Sequence, residues 1–140
     1  MGTGMPESAA HSRLQSKDNA TYSGTNALYA VERSLPRYTA DIVSMMASRL
    51  GAANRVLEFG AGIGTLAVEW KRQTGTTPEC IELATDQCKL IEDRGLVCYR
   101  SIGELPTTYD GIYASNVLEH ILDDVGALTE LRSALCRDGM

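Results

Sequence analysis

The sequence contains no apolar run approaching the roughly 20 residues a membrane-spanning helix requires. Its polar start, MGTGMPESAAHSRLQSKDNA, lacks the apolar stretch of a secretory signal. These absences predict a soluble, cytoplasmic protein with no membrane span. Basic residues are few and scattered, with 13 Lys and Arg against 18 Asp and Glu and a formal net charge of −5. No positive stripe is presented to a polyanion, so nucleic acid is not an expected partner. The four cysteines, Cys80, Cys88, Cys98 and Cys136, form no C-x-x-C pair, and His11 and His120 match no ligand spacing, so no metal site is expected. Each cysteine lies among apolar neighbours, and four buried free thiols are expected. Internal repeats and coiled-coil heptads are also absent.

What is present fits one domain of 140 residues. Residues 1–25 are rich in Ser, Gly, Asn, Thr and charge without periodicity, and read as a mobile arm. Residues 26–140 read as an α/β domain. Residues 26–33 look helical, Pro36 interrupts, and a helix resumes over 38–50 with Ile42, Met45, Met46 and Leu50 on one face and Gly51 as its stop. The period then changes. Short strands are predicted at 55–59, 79–83, 96–99 and 111–115. Helices are predicted at 65–73, at 86–94 with Thr85 as cap and Gly95 as stop, and at 124–136 followed by Gly139. Strands and helices alternating over short connections imply right-handed βαβ crossovers and a doubly wound parallel sheet.

The most informative stretch is VLEFGAGIGT at 56–65, where Glu58 ends a strand and Gly60, Gly62 and Gly64 follow at every second position. Glycines there let the backbone turn tightly and approach a ligand closely, while the next helix aims its free N–H groups at the same place. A dinucleotide fingerprint, G-x-G-x-x-G, would need glycine where Thr65 stands. It would also bring a pyrophosphate beside the like charge of Glu58. A ligand carrying a sulfonium and an ammonium suits that carboxylate better.

VLEFGAGIG resembles the first motif of the class I S-adenosylmethionine-dependent methyltransferases, and YDGIYASNVLEHILDD at 109–124 resembles the strand-four segment of their small-molecule branch. The resemblance covers residues 55–140. It implies a Rossmann-like fold, S-adenosyl-L-methionine as cofactor, and transfer of its methyl group to a small-molecule acceptor by in-line displacement. By the same resemblance Glu58 serves the amino group of the methionine moiety, and Gly60, Ala61, Gly62 and Gly64 form the floor. Glu82, eighteen positions after Gly64, takes the ribose hydroxyls, since a carboxylate accepts two hydrogen bonds at once. Leu83 packs on adenine. Ser101 and Ile102 stand where the family often has an acid followed by an apolar residue, so the acid is missing here. Asn116 lines the methionine end. Glu119 and His120 are candidates for acid or base beside the acceptor, with a helix cap as the plainer role of His120. The arm and the region of Tyr22, Tyr29 and Tyr38 occupy the place of the segment that closes over the cofactor.

The family's strand order is 3-2-1-4-5-7-6, of which this chain supplies 3-2-1-4, and Arg137 to Met140 resembles the turn into strand five. The expectation is a C-terminally truncated domain whose strand four is an open edge, open to pairing into a homo-oligomer. Two other functions stay open at this point: a non-catalytic cofactor-binding or interaction module, and an NAD-dependent oxidoreductase, which the glycine spacing and Glu58 disfavour.

Overall fold

The computed structural model describes residues 24–140. Most of the expected arm at 1–25 therefore lies outside the described residues, as do His11 and Tyr22. Two helices come first, α1 (Thr25–Ser34) and α2 (Pro36–Leu50), followed by β1 (Val56–Phe59), α3 (Thr65–Thr74), β2 (Glu79–Ile81) and α4 (Thr85–Asp93). After these come β3 (Cys98–Tyr99), a 3-10 turn (Ile102–Glu104), β4 (Gly111–Ala114), a second 3-10 turn (Leu118–His120) and α5 (Asp124–Ser133). The four strands form one parallel sheet in the order β3-β2-β1-β4, with β1 central. This is the doubly wound arrangement expected from the alternation of strands and helices. Among the described residues no helix is long and apolar enough to cross a membrane.

Alternation along the strands divides the core. Val56 and Tyr113 point to the face covered by α2 and α3, where they meet Val43 and Trp70, with the Trp70 and Tyr113 rings stacked at 4.8 Å. Cys80 lies on the same face with Ala67 of α3 and Ile91 of α4. Leu57, Phe59 and Ile81 point to the opposite face, where Ala127 and Leu131 of α5 cover them together with Tyr109 and Ile121. Pro36 opens α2, where its missing N–H leaves no bond unmade. Asp123 caps α5 by accepting from the Gly126 N–H at 2.9 Å.

Several expectations are corrected. On α2 the buried positions are Thr39 and Val43, with Met46, Ala47 and Leu50 packed beside the core, whereas Met45 is 56% exposed. The apolar stripe is rotated from the one expected because the helix docks through Val43 onto Val56 and Trp70. Helix α5 stops at Ser133, since the Tyr109 N–H takes the Ala134 carbonyl and the Cys136 N–H goes to Tyr109 O. Thr85 does not cap α4; its hydroxyl accepts from Arg100 at 2.6 Å instead. Cys88 and Cys98 are not free thiols but a disulfide, because the tight connection from α4 to β3 lays the helix back beside the strand with the two Cα atoms 5.7 Å apart. Cys80 and Cys136 are free. The outer side of β4 is not wholly open either, since Ile112 N–H donates to Met140 O and Met140 N–H to Asp110 O.

Leu57 is fully buried at the centre of the α5-side core. Its replacement by Ala is expected to destabilise the domain by about 3 kcal/mol through lost burial and a residual cavity. Urea unfolding measures this, and a loss below about 1 kcal/mol would contradict the packing described.

Candidate functional site

The site gathers where the C-terminal ends of the parallel strands meet, the position at which open α/β sheets place ligands. Leaving β1, the chain turns through Gly60, Gly62 and Gly64, all in the left-handed region with φ of 73°, 58° and 79°. The spacing of glycine at alternate positions is thus a conformational requirement. Gly60 has a second constraint: a Cβ there would lie 2.5 Å from a Val117 methyl. At Gly62 a Cβ would lie 3.1 Å from Leu28 of α1, so α1 sits directly over the turn. Both the Gly60 and Ala61 N–H groups donate to Ile81 O, which holds the turn against the end of β2.

Glu82 follows β2 and joins the two loops. One carboxylate oxygen accepts from Gly62 N–H at 2.8 Å and the other from Ala84 N–H at 2.9 Å. Burial raises its pKa above the ordinary carboxylate value, against the pull of those N–H groups and of the Arg100 charge. Leu83, next in the chain, is 44% exposed and presents an apolar surface beside the carboxylate.

Glu58 is placed differently. It pairs in register with Cys80 on one side and Tyr113 on the other, so its side chain enters the α3 face of the sheet and is only 2% exposed. The Tyr113 hydroxyl donates to it at 3.1 Å, and the Ala67 N–H donates as well. Ala67 lies in the first turn of α3, whose N-cap Gly64 offers no side chain. Glu58 therefore supplies the missing cap from the neighbouring strand. Burial pushes its pKa up to about 8, the Tyr113 and Ala67 bonds oppose this, and the charge of Glu82 adds to it.

The remaining expected residues lie around this centre. Ser101 and Ile102 follow β3; Ile102 begins the 3-10 turn and packs on the α5-side core, and Ser101 O accepts from Glu104 N–H. Asn116, after β4, is exposed and is, among the described residues, the non-glycine residue with positive φ, 55°. That bend delivers Val117 onto Gly60. Glu119 and His120 are both exposed on the second 3-10 turn, where the His120 N–H donates to Val117 O. Tyr38 is exposed on α2.

Two groups carry weight that the sequence reading did not assign. Arg100 donates to Leu83 O and to the Thr85 hydroxyl, bracing the loop that carries Glu82. Glu32 of α1 accepts from both terminal nitrogens of Arg94 at 2.7 and 3.0 Å and from Thr65 at 3.2 Å, and Arg94 lies 5.8 Å over the Tyr29 ring. These bonds fasten α1 across α3 and α4. No motif announces them, because the partners are 62 residues apart.

The Glu58 shift has a defined sign. Between the ordinary value of 4.5 and about 8 the folded protein keeps a proton that the unfolded chain has released. Stability therefore falls as pH rises through that window and levels off above it. Glu58→Gln is expected to flatten the decline, measured as Tm between pH 5 and 8.5; an equal decline in variant and wild type would contradict the assignment.

A family model described as a methyltransferase domain matches residues 31–140. No curated protein sequence matches significantly. Among solved structures, the glycopeptide N-methyltransferase MtfA complexed with sinefungin superposes with a TM-score of 0.60 at 22% identity, over 72% of this chain and 50% of that one. Coclaurine N-methyltransferase bound to N-methylheliamine and SAH gives 0.63 at 18%, over 72% and 34%. A Methanococcus maripaludis protein assigned to the S-adenosyl-L-methionine-dependent methyltransferases gives 0.73 at 16%, over 89% and 64%. The chain thus spans between about a third and two thirds of these structures, which share its fold. With the family model covering most of its length and the sheet order and glycine turn in place, the chain belongs to the methyltransferase domain family and has its Rossmann-like fold.

Proposed function

We propose that this domain binds S-adenosyl-L-methionine over the 60–64 turn and directs its methyl group to a small-molecule acceptor. The observation that carries the reading is the position of Glu82, which bonds the glycine turn through Gly62 N–H and its own loop through Ala84 N–H. Each carboxylate oxygen has lone-pair capacity beyond the one bond it accepts, which suits a vicinal diol. The charge pattern supports the same ligand. Glu82 stands beside the turn with its pKa raised by burial, and a cation arriving there would favour its ionised form. A pyrophosphate would not.

In this reading Gly60, Ala61, Gly62 and Gly64 form the floor, and Leu83 offers its exposed face to the adenine. Ser101 and Ile102 flank the base on the other side through backbone and hydroxyl groups, without the acid common in the family. Asn116 and the bend at its backbone border the methionine end. Glu58 acts from beneath, holding the first turn of α3 through the Ala67 N–H. The cofactor supplies a methyl carbon on a sulfonium, a leaving group that needs no acid. The protein's remaining work is alignment of the acceptor behind that carbon. Glu119 and His120, exposed on the second 3-10 turn, would take a proton from an acceptor that must lose one.

The family membership and the ligands held by two of the structural neighbours, sinefungin and SAH, agree with this assignment. Calorimetric titration tests it. The wild-type chain is expected to bind S-adenosyl-L-methionine and S-adenosylhomocysteine and to ignore NAD. Glu82→Ala is expected to weaken both by about 1.5 to 3 kcal/mol, the range for hydrogen bonds to a charged group, with Glu82→Gln between. Unchanged affinity in Glu82→Ala, or binding of NAD alone, would reject the proposal.

A further inference from the structure

A disulfide ties α4 to β3 beside the loop that carries Glu82. Cys98 pairs in register with Cys80, and its sulfur is joined to Cys88 on α4. A groove of about 300 Å³ opens beside the bond, lined by Thr85, Cys88, Lys89, Glu92, Cys98 and Arg100. Both bonded cysteines therefore border solvent-accessible space. Cys88 is only 5% exposed, while Cys98 is half-buried. Lys89 and Arg100 bring two cations to the lining and Glu92 one carboxylate, and the Arg100 charge also acts on Glu82.

We propose that this groove is a thiol–disulfide exchange site whose reactant is a small thiol bearing carboxylate charge, with Cys98 as the sulfur attacked. The thiolate of the small molecule forms a bond to Cys98 Sγ as the bond from Cys98 to Cys88 breaks. Cys88 leaves as a thiolate and takes a proton from water. A second small thiolate then attacks the small molecule's sulfur in the mixed disulfide and departs with it as a symmetrical disulfide, while Cys98 leaves and is protonated. Two small thiols are oxidised and one protein disulfide is reduced. In reverse, the small disulfide is the oxidant that restores the bond.

Three features favour this direction of attack. Cys98 is the more exposed of the two residues. Cys88, the leaving group, sits at the end of the first turn of α4, where the helix dipole favours a thiolate. Cys80, the third sulfur of the row, is fully buried, and burial raises its thiol pKa, so it remains protonated and does not compete. The groove also adjoins the proposed nucleoside site, because Arg100 braces Leu83 and Thr85.

The test uses the full chain and two probes of opposite charge, glutathione and cysteamine, compared at equal thiolate concentration with acid quenching and peptide mass mapping. The adduct is expected on Cys98. Glutathione is expected to react about threefold or more faster than cysteamine, an advantage that added salt removes because it is electrostatic. Lys89→Glu, a change at an exposed position, is expected to reverse the preference. Three results would overturn the proposal: Cys88 and Cys98 alkylated as readily as Cys136 without reduction, the adduct mapping to Cys88, or a probe preference unmoved by both salt and Lys89→Glu. The salt arm needs no variant, and none of these readouts depends on methyl transfer.

Discussion

One carboxylate ties two loops together at the mouth of the sheet. Glu82 accepts from Gly62 N–H and from Ala84 N–H, so the turn after β1 and the turn after β2 cannot move independently. The backbone supports the same junction through Gly60 and Ala61, which both donate to Ile81 O. Everything else near the site is positioned from this point. Val117 closes on Gly60, Leu28 closes on Gly62, and Arg100 secures the far side of the Glu82 loop.

Beneath this junction the structure accepts an electrostatic penalty. Glu58 occupies the centre of a sheet face otherwise occupied by Val56, Cys80 and Tyr113 and is kept there by a hydroxyl and one backbone donor, with no cation among the described residues bonded to it. A buried carboxylate without a countercharge shifts its pKa rather than remain fully ionised. The compensation is local: α3 begins at a glycine that cannot cap it, and Glu58 does so from β1. The outer polar layer acts differently. Glu32, Arg94 and Thr65 fasten α1, a helix with no buried residue, to the elements that carry the glycine turn. That helix is held by polar contacts rather than by a core.

The parts of this arrangement legible in the sequence are those set by local rules. Glycines at alternate positions after a short apolar strand announce a left-handed turn, and the interval from Gly64 to Glu82 announces an acid at the end of the next strand. Alternation of strands and helices carries the parallel sheet, and the family resemblance carries its strand order. What escaped depends on register and docking. That Glu58 points inward follows from its pairing with Cys80 and Tyr113, which no local pattern reveals. Cys88 and Cys98 look like separate buried thiols until α4 is laid beside β3. Met45 reads as core because helical spacing defines a stripe but not its rotation, which the contact of Val43 with the sheet decides. The left-handed Asn116 could have been anticipated, since asparagine tolerates that conformation better than most residues.

The role of the Glu82 junction rests on where a nucleoside meets this surface. A crystal structure of the chain with S-adenosylhomocysteine measures it most directly. The ribose hydroxyls are expected on the Glu82 carboxylate, the adenine against Leu83, and the amino acid end over the 60–64 turn toward Asn116. A nucleoside bound elsewhere, with Glu82 still committed only to Gly62 and Ala84, would contradict that role.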